Sequence, residues 1–146
     1  MSVIVISGSR YWKDDKYNIV KEELKKYPNS FIIVGDCKGV DSLAVRAAKE
    51  LGYKYQIFYA NWSKYGNSAG PKRNNEMIIE LQKRNETNKF VLSFHDKLSE
   101  SKGTINLMTN AQTNGIAIYH HDGKTSKKWT KWIKPISLKK SIGKKK

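Results

Sequence analysis

The 146 residues suit one domain, and a single cysteine, Cys37, excludes an intrachain disulfide, which favours a reducing compartment. No run approaches the ~20 apolar residues that a membrane helix needs. The net charge of +15 sits mostly at one end: residues 124–146 carry ten Lys and no acid, which leaves +5 on residues 1–123.

Short β-rich runs alternate with helix-period stretches along the chain. Val3 to Ser7 is the first expected strand, apolar but too short for a leader peptide. Asp14 to Tyr27 follows as a helix, with Tyr17, Val20, Leu24 and Tyr27 on one face. Phe31 to Gly35 reads as a buried strand. Val40 to Leu51 is a helix with an apolar stripe of Val40, Leu43, Ala44, Ala47, Ala48 and Leu51, closed by Gly52. Tyr55 to Tyr59 is a third strand, and Asn61 to Gly70 a polar loop. Pro71 to Arg84 is a helix whose buried side is Met77, Ile78 and Leu81. Lys89 to Phe94 is a strand, His95 to Lys102 a loop, Thr104 to Asn114 a helix and Ile116 to Tyr119 a fifth strand. Beyond His120 no clear core element follows, although Trp129, Trp132 and Ile133 could lay a short strand or turn back onto the domain.

Five strands separated by helices predict an α/β, Rossmann-like, three-layer domain over residues 1–120, mostly parallel, with helices on both faces. Residues 121–146 are expected to be a Lys-rich extension. Continuous apolar strands fit a sheet covered on both sides.

Ligands of open α/β sheets bind outside the carboxyl ends of the strands. Here those ends carry Gly8-Ser9-Arg10, Gly35-Asp36-Cys37-Lys38-Gly39-Val40-Asp41, Asn61-Trp62 with Gly70-Pro71-Lys72-Arg73-Asn74, and Lys102-Gly103-Thr104. Glycine admits a phosphate close to backbone N–H groups, and helix N-termini supply donors and partial positive charge. Arg10 and Arg73 suit bidentate phosphate binding, and Lys38, Lys72 or Lys102 add charge. Ser9 and Thr104 can donate to phosphate oxygens, and Asp36 or Asp41 can accept from a ribose hydroxyl. Each also has a plainer role: Gly8 as a tight turn, Asp41 and Thr104 as helix caps, Arg73 as a surface ion pair, Trp62 as a packed anchor rather than a base-stacking lid. His95, His120 and His121 lack metal spacing, no metal site is expected, and His120-His121 reads as surface. Cys37 reads as a space-filler. The chain has no P-loop, GxGxxG, HExxH, CxxC pair or GxSxG.

Taken in order, Gly8-Ser9-Arg10, Val34 to Asp41, Ala69 to Met77 and Lys102-Gly103-Thr104 resemble the YspA-type (DUF2493) branch of the SLOG superfamily, whose other members include the Smf/DprA and LOG proteins. The resemblance spans roughly residues 3–119. It implies a Rossmann-like sheet and a nucleotide-derived ligand; the Gly-rich crevice itself suggests a phosphorylated ribose compound, ADP-ribose-like or NAD-related, and no cofactor is expected to be required. It places Gly8, Ser9, Arg10, Gly35, Gly39, Asp41, Gly70, Arg73, Asn74, Gly103 and Thr104 around that ligand. LOG phosphoribohydrolases carry a PGGxGTxxE pattern, and Leu107 stands here where its Glu would be. The expectation is therefore a sensor or sequestering protein; if an enzyme, it is an N-glycosidic hydrolase or transferase with Asp41 as the candidate catalytic group. The alternative is single-stranded nucleic-acid binding, with Lys127, Lys128, Lys131, Lys139 and Lys140 meeting phosphates and Trp62, Trp129 or Trp132 stacking on bases. The expected location is the cytoplasm, a host's if the source is viral, with no membrane partner; no motif encodes an oligomeric state.

Overall fold

A computed structural model describes residues 1–130. Trp132, Ile133, Lys131, Lys139 and Lys140 lie outside the described residues.

Six strands form one sheet in the order β3-β2-β1-β4-β5-β6. They are β1 (Ser2–Gly8), β2 (Phe31–Gly35), β3 (Lys54–Phe58), β4 (Asn88–Phe94), β5 (Ala117–His121) and β6 (Ser126–Lys128). The first five are mutually parallel and β6 runs antiparallel to β5. The helices are α1 (Tyr17–Lys25), α2 (Val40–Leu51), α3 (Trp62–Tyr65), α4 (Ala69–Lys83) and α5 (Lys102–Thr113). The fold is the expected α/β, Rossmann-like one.

Side chains alternate across each strand, so each strand divides its apolar residues between two cores. Ile4, Ile6, Ile32, Val34, Phe90 and Leu92 pack with Val20 and Leu24 of α1 and with the Leu43–Ala48 stripe of α2. Val3, Val5, Ile33 and Val91 pack on the opposite face with Met77, Ile78 and Leu81 of α4 and Leu107, Met108 and Ala111 of α5. Two buried faces explain why residues 3–6, 32–34 and 90–92 are apolar at every position. The chain moves from β1 outward to β3, then returns across the sheet to β4. The switch between β1 and β4 leaves their carboxyl ends flanked by connections that leave on opposite faces.

Several elements depart from expectation. Asp14–Lys16 forms a 3-10 turn before α1. The stretch expected as a polar loop is helical: Asn61 caps α3 by accepting from the Lys64 amide, a 3-10 turn covers Gly66–Ser68, and α4 begins at Ala69. Helix α5 begins at Lys102, two residues early, because Ser101 and not Thr104 is its cap: the Ser101 hydroxyl accepts from the Thr104 amide at 3.2 Å.

The boundary expected at residue 120 falls inside β5, and β6 follows in the same sheet. Asp122-Gly123 forms the turn between them: Asp122 Oδ1 accepts from the amides of Lys124 (2.8 Å) and Thr125 (2.9 Å), and Gly123 has φ +102°. Lys127 and Lys128 therefore sit on the edge strand of the sheet, and Trp129 packs against the second core. The histidines are not at the surface either. His120 Nδ1 lies 2.6 Å from Ser93 Oγ, His121 stacks on Phe94, and His95 Nδ1 accepts from the Lys97 amide at 2.8 Å. All three are buried, and burial pushes their pKa values down by disfavouring the charged form.

Candidate functional site

The rim begins at the end of β1. Gly8 is confined: a Cβ there would lie 2.8 Å from Val40 Cγ2 and would press on the Phe94 carbonyl. That close packing sets Ser9 between three elements. Its amide donates to the Phe94 carbonyl, its carbonyl accepts from the Val40 amide, both at 2.9 Å, and its hydroxyl accepts from the Tyr11 amide at 3.1 Å. The start of α2 is thus tied to the chain leaving β1. Gly39, with φ +83° and ψ −130°, makes that approach possible; a Cβ there would lie 2.6 Å from Arg10 Cα.

A second group sits where β2 ends, on the α4 face. Gly35 lacks the side chain that would occupy this space: a Cβ there would lie 2.9 Å from both Arg73 Nη1 and Asp41 Oδ2. Arg73 is buried and its guanidinium is spoken for. It pairs with Asp36, reaches Cys37 Sγ at 3.7 Å, and donates through Nε to Asn74 Oδ1 at 3.1 Å. Asn74 carries the network across to α5, donating to the Gly103 carbonyl (3.3 Å) and to Asn106 Oδ1 (3.0 Å). Asp41 is buried and accepts from the Cys37 amide at 3.1 Å, so it closes the turn ahead of α2 from its second residue rather than capping from outside. Burial raises the Asp41 pKa to about 7, against the opposing pull of the Cys37 amide and Arg73.

These groups divide the labour differently from the sequence reading. Arg73 holds the Asp36 carboxylate, and being buried it gives neither a phosphate nor solvent ready access. Arg10 is exposed, and among the described residues its side chain has no hydrogen bond or ion pair; the same holds for Lys38 and Lys102. Asp36 Oδ1 takes Arg73 and the Ala60 amide, while its Oδ2 has no partner among the described residues. Gly103 is exposed with open space where a side chain would be, and Thr104 is buried beside it. Trp62 is exposed, but its ring edge lies over Gly70, where a Cβ would meet it at 3.3 Å.

The structure joins Gly8, Ser9, Arg10, Gly39, Asp41, Gly35, Asp36, Arg73, Asn74 and Gly103 by successive contacts into one rim. Thr104 is adjacent to it, and Trp62 with Gly70 forms its outer margin. Lys127 and Lys128 belong to the opposite edge of the sheet, four strands away from β2. Sequence reasoning missed Asn106, which lies one helical turn beyond Gly103 and bears the amide that Asn74 needs. It also missed Tyr59 and Tyr65, exposed on either side of Trp62. Among the described residues no group of three or more His, Cys, Asp or Glu could hold a metal ion, and no helix is long and apolar enough to cross a membrane.

Residues 2–65, from β1 through α3, match the family model described as the YspA, cpYpsA-related SLOG family. The match contains the Gly8-Ser9-Arg10 and Gly35–Asp41 motifs; Arg73, Asn74 and Gly103 lie beyond it. No curated protein and no solved structure matches the chain.

Proposed function

We propose that this YspA-like SLOG chain binds a phosphorylated ribose compound, of the ADP-ribose or NAD-related kind, as a sensor or sequestering protein. One observation carries the reading: the rim that joins the ends of β1 and β2 to the starts of α2, α4 and α5 offers together cations and a carboxylate oxygen that have no partner among the described residues. Arg10, Lys38 and Lys102 supply charge for phosphate, and the α2 and α5 N-termini supply backbone donors. Asp36 Oδ2, held in place by the Arg73 and Ala60 contacts on its other oxygen, is oriented to accept from a ribose hydroxyl. Arg73 acts on the ligand indirectly, by fixing Asp36. Calorimetry with AMP, ADP-ribose and NAD tests this. Binding of at least one, lost in Arg10→Ala and Asp36→Ala, is the expected result; no binding to any of the three overturns it.

A second reading follows from Asp41. A buried carboxyl that titrates near pH 7 beside a charged Arg–Asp pair has the proton affinity of a general acid or base. Such a group would suit cleavage at a nucleoside N-glycosidic bond, even though Leu107 replaces the Glu of the LOG pattern. Base release from nucleoside monophosphates that disappears in Asp41→Asn would establish it, and absence of turnover by the unaltered protein would dispose of it.

A further inference from the structure

His95, His120 and His121 gather at the carboxyl ends of β4 and β5, buried, and the proposed ligand uses none of them. The His95 amide donates to the His121 carbonyl at 3.0 Å, which ties the two strand ends together. Two of the rings take a backbone amide as partner. The Lys97 amide donates to His95 Nδ1 at 2.8 Å, and the Gly123 amide donates to His121 Nδ1 at 3.0 Å. A backbone N–H can only donate, so each Nδ1 is the unprotonated nitrogen and each neutral ring carries its proton on Nε2. His120 differs: its Nδ1 meets the Ser93 hydroxyl, which can donate or accept. The two amides hold connections. Lys97 lies between β4 and Ser101, the cap of α5, and Gly123 lies in the turn that folds β6 onto β5.

Each of these two rings also has a carboxylate just outside hydrogen-bond reach. Asp96 Oδ1 lies 4.0 Å from His95 Nδ1, and Glu23 Oε1 lies 3.9 Å from His121 Nε2. Glu23 is 4% exposed, and its Oε2 is buried with no hydrogen-bond partner among the described residues. A buried carboxylate oxygen without a donor is uncommon, and a cationic ring would supply one. Lys26 already holds the other oxygen at 2.8 Å. Burial is the largest influence on all three rings and disfavours their cations. Asp96 and Glu100 act against it at His95, and Glu23 and Asp122 at His121, where Lys26 reinforces it. At His120 the His95 backbone and Asp122 oppose burial, and the His95 and His121 rings add to it.

We propose that His95 and His121 form a pH-sensitive latch: as neutral acceptors they hold the β4–α5 connection and the β5–β6 turn shut, and on protonation each ring releases its amide and turns to the carboxylate beside it. The proton comes from solvent and binds Nδ1. It then faces the amide N–H that Nδ1 had accepted, so an attraction becomes a repulsion and the amide is left without its acceptor. The latch is independent of what the rim binds.

The test combines long-range ¹H–¹⁵N spectra of the histidine rings with amide hydrogen exchange of the full-length protein, from about pH 8 to about pH 5. At the upper end both rings are expected as the Nε2–H tautomer. Protection of the Lys97 and Gly123 amides is taken relative to Val5 and Ile6 in β1, which report the sheet as a whole. It is expected to fall about tenfold for each pH unit below about 6.5, as uptake of one proton on opening requires. His95→Asn and His121→Asn put Oδ1 where Nδ1 stood, an acceptor that does not titrate. Each is expected to keep its own amide protected without the pH dependence, and to leave the other amide's pH dependence intact. Far-UV circular dichroism checks that the variants fold; the tautomers and the exchange of the unaltered chain decide the matter if they do not. An Nδ1–H tautomer at either ring overturns the proposal, as does pH-independent protection in the unaltered chain or unchanged pH dependence in a folded variant. Loss of protection at Val5 and Ile6 in step with Lys97 and Gly123 also overturns it, because the whole sheet would then be unfolding.

Discussion

Substituting Gly39 by Ala attacks the join on which the rim depends. The backbone at Gly39 has φ +83° and ψ −130°, a conformation that costs a residue with a side chain about 1–3 kcal/mol. Steric overlap adds to this. The new Cβ would lie 2.6 Å from Arg10 Cα and 2.5 Å from its carbonyl carbon, both backbone atoms that no side-chain rotation can move. Forcing atoms into such a packed contact costs a further 1–3 kcal/mol, roughly. Together the loss is about 2–6 kcal/mol, a large share of the roughly 5–15 kcal/mol that holds a domain folded. At about 3–5 °C per kcal/mol for a chain of this size, the melting temperature falls by about 6–30 °C. Two controls calibrate the result. Gly115 has φ +71° with nothing near its Cβ position, so Gly115→Ala pays only for the backbone, about 1–2 kcal/mol. Gly103 lies in the first turn of α5 with open space around it and no positive φ, so Gly103→Ala gains up to about 1 kcal/mol from helix propensity. Differential scanning calorimetry of the three variants should rank them Gly103→Ala, Gly115→Ala, Gly39→Ala from most to least stable. A Gly39→Ala protein that melts with or above Gly115→Ala would refute the argument that β1 and α2 meet by backbone contact.

Three further outcomes are expected. Because the Asp41 pKa is raised, the native state holds a proton that the unfolded chain has already released between about pH 4 and 7; stability falls as pH rises through that window, by about 1.4 kcal/mol per unit. The three histidines, with lowered pKa values, act in the opposite sense and withdraw stability as pH falls below about 6.5. Denaturant titrations of Asp41→Asn against the unaltered chain at pH 5 and pH 8 separate the two: the difference should favour the variant more strongly at pH 8. Leu107→Glu, which restores the LOG-type carboxylate, should confer no N-glycosidic activity and should lower stability by several kcal/mol, since Leu107 is fully buried against α4 and the sheet; a folded, newly active variant would contradict this. Ser93→Ala should cost about 1–3 kcal/mol by leaving His120 Nδ1 unpaired in the core, read as a shift in the denaturant midpoint at unchanged slope.

The architecture was legible wherever burial imposed a pattern. The spans of β2 and α2 were read to the residue, because a continuous apolar run and a stripe at helical spacing each have a single reading there, and Gly52 marks the stop. Strand β6 was not legible, since Ser126-Lys127-Lys128 has no apolar residue; the preceding Asp122-Gly123 was the available signal. Helices α3 and the 3-10 turn after it were hidden because Asn61, Gly66 and Ser68 are residues of loops and caps alike. At the site, glycines and charged residues at the strand ends revealed which segments converge. They did not reveal which charge faces outward. Arg73 and Arg10 look equivalent in sequence, yet the missing Gly35 side chain lets the first turn inward onto Asp36, while the second is exposed. His120 and His121 misled for a related reason: polar residues at a strand end read as surface, but the β6 hairpin covers them.

Amide chemical-shift mapping of the full-length protein titrated with ADP-ribose bears most directly on the rim. Coincident shifts at Ser9, Arg10, Gly39, Gly103 and Thr104, saturating with one dissociation constant, are the predicted result. An unchanged spectrum, or shifts confined to the opposite end of the sheet around Lys83–Glu86, would contradict the account.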